Sequence, residues 1–316
     1  MDVTHRAVAW MLLASLAFAS GSALVKWTAD HAGVATVIFG RSLVITLALL
    51  AWSRLRGASL RVDDRRLLLW RCTVGLSAMA CYFYAVQQIP LSNAVTLQYT
   101  APLFVALFSG AMLRERVSPL VYGCIALSFA GTVLIVSPSL RGVEPVALVA
   151  LISGVLSAFA YLAVRGLRTS ASPDGVVFWF ALFCTLVTLP LAAAKLPQLA
   201  LPEALAIIGV GICAGVGQTG MTRAYQAARA AYIGAFSYVT VLIGGIYGCQ
   251  LFQQSLVWGD AIGAALIVGS GALLVSSVGQ EKPQVAVAVG GRASYASPTV
   301  TSWLPMRSVS SIYCMK

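Results

Sequence analysis

Residues 215–220 read GVGQTG. This matches G-x-G-x-x-G, the glycine pattern that lets a backbone approach a dinucleotide's pyrophosphate. Such a site needs a strand before the glycines, a helix after them and an acid about 20 residues on. Here positions 235–240 read AFSYVT, and no Asp or Glu occurs until Asp260, at the start of another apolar run. The dinucleotide site therefore fails on context. The wider stretch, GVGICAGVGQTG (209–220), places Gly211 and Gly215 four residues apart, and Cys213 and Gly217 repeat that spacing. Small residues one helical turn apart let two helices approach closely in a membrane. Close packing is the plain expectation. The sharper one makes Gly215 and Gly217 a hinge and lets Gln218 and Thr219 line a cavity.

Composition supports the membrane. The 316 residues are 59% hydrophobic and 10% charged, where a soluble domain carries about 25% charged residues. Ten apolar runs, at 7–25, 34–52, 68–88, 94–113, 118–137, 146–164, 175–194, 204–222, 231–252 and 257–278, each suffice for a span. In lipid the backbone must satisfy itself, so they are expected to be helices. The net charge of +11 is scattered between these runs rather than gathered in a patch, which argues against nucleic acid. The seven cysteines lie singly and the two histidines are His5 and His31, so no metal site, catalytic set or cofactor site is expected.

With the N-terminus inside, the inner loops and the tail hold 16 of the 21 Lys and Arg, and the outer segments hold Lys26, Arg141 and Lys195. The positive-inside rule then puts both termini in the cytoplasm. Arg41 and Arg71 lie within spans.

The halves resemble each other. A shift of 139 residues carries Lys26 onto Arg165, Phe39 onto Phe178, Ala85 onto Ala224, Gln87 onto Gln226 and Tyr99 onto Tyr238. Five spans per half is an odd number, so the halves must be inverted, which is a transporter architecture. The expected domains are a first five-helix repeat at 1–139, a second at 140–278 and a flexible cytoplasmic tail at 279–316.

Arg41, in FGRSLVI, is costly at that depth and faces either a substrate carboxylate or phosphate, a gate, a structural partner or the interface. Arg71, near a span's start, is expected to snorkel. Tyr82, Tyr84 and Tyr225 are expected to be interfacial anchors. Gln98, Tyr99, Ser237 and Tyr238 lie deeper, align across the repeat and join Arg41 and Gln218 as cavity candidates. Pro102 can kink its span, and Glu115, in LRER, is a candidate inner gate.

The segments FGRSLV, YAVQQIPLSNAVTLQYTAPLFVALFSGAMLRER (84–116) and AYQAARAAYIGAFSYVTVLIGGIYGCQLF (224–252) resemble the drug/metabolite transporter superfamily, specifically its EamA-type family. Ala94, Tyr99, Pro102 and Glu115 stand at family positions, whereas Val241 replaces the usual proline and Gln254 the usual glutamate. The resemblance implies an all-α membrane protein with ten transmembrane helices in two inverted five-helix repeats. It also implies a cavity from spans three, four, eight and nine, and transport of amino acids or other small metabolites, mostly outward. The expected role is a secondary transporter in the cytoplasmic (inner) membrane, working by alternating access on a small-molecule solute in contact with the lipid bilayer. A homodimer is left open. An uptake carrier for a cofactor-like metabolite is the rival. A membrane enzyme on lipid-linked substrates lacks clustered acids or histidines, and a scaffold or sensor has no need of inverted halves.

Overall fold

The computed structural model describes residues 3–113, 119–136, 145–194, 196, 199–228, 230–254 and 258–278. Glu115 and the tail lie outside them. The described residues are helical almost throughout: α1 Val3–Trp27, α2 Val34–Arg56, α3 Arg65–Gln88, α4 Leu91–Gln98, α5 Ala101–Leu113, α6 Pro119–Val136, α7 Pro145–Gly166, α8 Pro173–Ala193, α9 Leu201–Ala227, α10 Ala230–Phe236, α11 Val239–Phe252 and α12 Trp258–Val278. Eight stretches among them are long and apolar enough to cross a bilayer. The outer surface is apolar: Leu191, Ile212 and Leu251 are more than half exposed. Inside, Ser42, Ser153, Thr222 and Arg41 are buried among the core side chains. That inversion suits a lipid solvent.

Local chemistry sets the helix ends. The Asp64 carboxylate accepts from Leu67 N–H at 3.0 Å to start α3. Ser172 caps α8 by accepting from Gly175 N–H, with Pro173 in the first turn. Gly57, at φ +65°, closes α2 in the left-handed conformation that glycine tolerates best.

The fourth and ninth apolar runs, expected as continuous helices, are each broken. The first break falls at Tyr99–Thr100 and separates α4 from α5. Pro102 has no N–H to give Gln98 O, and the chain tightens into i→i+3 bonds, Thr100 N–H to Leu97 O and Leu103 N–H to Thr100 O. The second break, at Ser237–Tyr238, separates α10 from α11 through Ser237 N–H to Gly234 O and Val241 N–H to Tyr238 O. It forms without a proline.

Packing pairs recur under the 139-residue shift. Helix α1 packs on α9 and α3 on α7; α2 packs on α9 and α3 on α8; α5 packs on α7 and α1 on α11. Individual bonds recur too. Lys26 Nζ donates to Gln87 O at 3.3 Å and Ile89 O at 3.0 Å, tying the end of α1 to the end of α3. Arg165 donates to Tyr225 O at 3.3 Å and Gln226 O at 3.0 Å, tying α7 to α9. Gln87 donates to Ala32 O at 2.9 Å, and Gln226 to Ala171 O at 3.5 Å. A cation on the last carbonyls of a helix also complements its dipole.

The glycines of 209–220 are packing surfaces on α9. A Cβ at Gly217 would come within 2.7 Å of the Phe18 ring, and one at Gly220 within 2.7 Å of Trp10 O, both on α1. A Cβ at Gly211 would meet Val44 of α2 at 2.6 Å, and one at Gly215 would sit 3.5 Å from Ile45.

Three outcomes are expected. Gly220→Val sets a branched side chain against backbone and should destabilise the protein by about 1–3 kcal/mol. Gly245→Ala, whose Cβ meets nothing within 4 Å, should leave the unfolding midpoint in detergent unchanged. Gln98→Leu, which removes the side chain that bonds the end of α4 to Ser153 and Ser157 of α7, should cost about 1–3 kcal/mol in the same assay.

Candidate functional site

The first break opens beside a cavity of about 90 Å³ reached by α1, α2, α3, α4, α7, α8 and α9. Arg41, Gln98, Tyr99 and Gln218 are brought together on its wall. Ser237 and Tyr238 are not: Ser237 Oγ donates to Gly234 O at 2.6 Å, and Tyr238 packs in the core cluster around Val95 and Leu97. Gly215 and Gly217 lie on the packing face of α9, and Pro102 sits against Gly234 of α10.

Gln98 is fixed by α7. Its Nε2 donates to Ser157 Oγ at 2.7 Å, and its Oε1 accepts from Ser153 Oγ. The Gly154 Cα faces the break itself: a Cβ there would lie 2.7 Å from Thr100 Oγ1 and 3.1 Å from the carbonyls of Leu97 and Gln98. The glycine thus lets α7 press against the broken backbone.

Arg41 is 3% exposed, and its NH1 lies 2.8 Å from Met79 Sδ. A thioether is a weak acceptor and carries no charge to offset a guanidinium.

Arg71 does not snorkel. It is 2% exposed, and its guanidinium lies 4.2 Å from the centre of the Phe180 ring. Its NH2 reaches Gln218 Oε1 at 3.4 Å, and its Nε has no hydrogen-bond partner. The side chain runs forward over Gly75, where any Cβ would strike NH1. Helical side chains lean toward the helix N-terminus, so this course turns away from the near end of α3 and into the interior. The anchor expectation also fails for two tyrosines. Tyr82 is on the cavity wall, its hydroxyl 2.8 Å from Ser22 Oγ, and Tyr225 is buried against the Tyr161 ring at 5.2 Å. Tyr84 is 43% exposed, as an anchor should be.

Sequence reasoning missed Tyr161, whose hydroxyl faces Ser157 and Gln98, and missed Phe180 as the support of Arg71. A signal for Arg71 was present: Gly75 stands one turn further along the same helix, which is where a buried arginine needs space. Among the described residues no Asp or Glu lines the cavity, and neither Arg41 nor Arg71 has an ion pair.

Away from the cavity, Gln254 Oε1 accepts from Leu91 N–H at 3.1 Å. It satisfies the exposed start of α4, where Pro90 precedes the helix without a side-chain cap.

Comparison with known proteins places this geometry. The chain is 30% identical over 280 residues to the pseudopaline exporter of Pseudomonas aeruginosa (strain UCBPP-PA14), covering 88% of this chain and 96% of that protein. It is 26% identical to the riboflavin transporter of Vibrio cholerae (serotype O1, strain El Tor Inaba N16961), covering 87% and 95%. A crystal structure at 22% identity superposes with a TM-score of 0.63 over 87% of this chain and 98% of that one, so the fold is shared. The model of the EamA-like transporter family matches twice, at residues 5–137 and 145–276, and the chain belongs to that family of membrane transporters.

Proposed function

We propose that this protein is a secondary transporter of the cytoplasmic (inner) membrane that exports amino acids or related zwitterionic or anionic metabolites by alternating access. One observation carries the reading: Arg41 is buried on the wall of a central cavity that has no acid among the described residues to neutralise it. A permanently charged guanidinium without a partner costs several kcal/mol, and a solute carboxylate or phosphate supplies the missing charge. Gln98, Tyr99 and Gln218 add neutral polar groups to the same wall.

Ten helices in two inverted repeats form the frame of this proposal. The matched bonds of Lys26 and Arg165 support it, as do the double family match and the broken helices at corresponding positions. The lysine and arginine bias of the loops supports cytoplasmic termini. Export is favoured because a relative 30% identical to this chain is named an exporter. Uptake of a cofactor-like metabolite is the second reading, favoured by relatives named riboflavin transporters.

Proteoliposomes loaded with labelled amino acids and small metabolites test the proposal. The wild-type protein should release at least one solute. Arg41→Ala, at an unchanged unfolding midpoint, should slow that release at least about tenfold, the loss expected for one charge-assisted contact. Equal release from both proteins would make Arg41 structural and withdraw the anion site.

A further inference from the structure

We infer that the cavity takes a solute bearing two acidic groups, one for each of its two buried arginines, Arg41 from α2 and Arg71 from α3. The inference rests on the carrier reading above and adds the substrate class to it.

Arg71 is held in place as a binding group would be. Its guanidinium lies between the bare Cα of Gly75 and the Phe180 ring, 4.2 Å from the ring centre. It turns away from the near end of its own helix, where a snorkelling side chain would go. Its direct partners are weak: a Gln218 amide oxygen at 3.4 Å and an uncharged ring face. Its Nε is buried with nothing to donate to. A planar guanidinium with free N–H groups is shaped to take a carboxylate through two parallel bonds.

Both guanidiniums line the one cavity, where their like charges oppose each other. Neither half of the chain offers relief. The residues that the 139-residue shift pairs with Arg41 and Arg71 are Phe180 and Val210, both apolar and both on the cavity wall. Among the described residues the wall's other polar groups are neutral: amides at Gln98 and Gln218, and hydroxyls at Ser22, Tyr82, Tyr99, Ser157 and Tyr161. A monocarboxylate amino acid pairs with one arginine and leaves the other, together with its own ammonium group, uncompensated. A dicarboxylate satisfies both. A solute ammonium group finds amide and hydroxyl oxygens but no carboxylate, so a second acid matters more to this wall than an amine.

The test uses purified full-length protein in detergent at neutral pH. Ligand affinity is read from the rise in unfolding midpoint with concentration. Two near-isosteric pairs serve as probes: L-glutamate against L-glutamine, and succinate against succinamate. Each pair differs by one carboxylate turned to an amide. In the wild type the dicarboxylate should bind at least about tenfold more tightly in each pair. Arg71→Gln should bring that ratio close to one. Gly75→Ala keeps both arginines but pushes Arg71 from its berth, and should lower the ratio in the same direction. If Arg71→Gln does not fold, Gly75→Ala decides.

A wild-type ratio near one overturns the inference, and so does a ratio that survives both substitutions. Either result leaves the carrier proposal standing if Arg41→Ala still slows solute release from proteoliposomes at least about tenfold. If no acid of either kind binds, the two-acid site is overturned. Loss of the anion-carrier proposal would then show separately, as flux insensitive to Arg41→Ala.

Discussion

A backbone buried in hydrocarbon has no water to bond, so every interrupted helix and every helix end must be met by another part of the protein. In this chain that requirement fixes the centre and both clasps. Pro102 leaves Gln98 O without its helical partner, Leu97 O accepts from Thr100 N–H and Oγ1–H, and Gly154 lets α7 lie close against both carbonyls. The Gln98 side chain then reaches Ser153 and Ser157 on the same face of α7. At the far ends, the last carbonyls of α3 receive Lys26 and those of α9 receive Arg165. Cations here are spent on backbone rather than on acids. That is why a chain with so few carboxylates can still order its helix ends.

Much of this was legible from residues alone. Apolar runs of about 20 residues imply helices, because a single segment satisfies its own backbone in lipid only as a helix. The paired positions Lys26 with Arg165 and Gln87 with Gln226 marked the repeat, and in the structure each pair makes corresponding bonds. Pro102 announced the first break. Nothing local announced the second, because Val241 keeps its N–H and simply redirects it to Tyr238 O. Arg71 was misjudged for a similar reason. Its height along α3 permits snorkelling, and what decides otherwise is a ring on α8 brought in by tertiary packing. Tyr82 and Tyr225 show the same limit: position along a helix tells depth, but not which face meets a neighbour.

The glycine run that first suggested a nucleotide site illustrates how one helix serves two neighbours. Gly209, Gly217 and Gly220 face Leu24, Phe18 and Trp10 of α1, and Gly211 and Gly215 face Val44 and Ile45 of α2. Gln218 and Val210 turn from that surface to the cavity wall. Bringing α9 close to α1 and α2 is what places Gln218 within reach of Arg71. The glycines shape the cavity without entering it.

The frame repeats, but the cavity does not. Arg41 corresponds to Phe180, Arg71 to Val210, Met79 to Gln218 and Ser22 to Tyr161, and all eight line the same space. Unlike side chains at corresponding positions mean that both cations belong to the first half of the chain. Two like charges in a weakly polar interior raise the free energy of the empty cavity, since their repulsion and lost hydration are both uncompensated. On the proposed reading, a bound anion offsets that cost most where water is excluded, because Coulombic attraction strengthens as the local dielectric falls. In the alternating-access carrier proposed above, that charge would couple occupancy to closure.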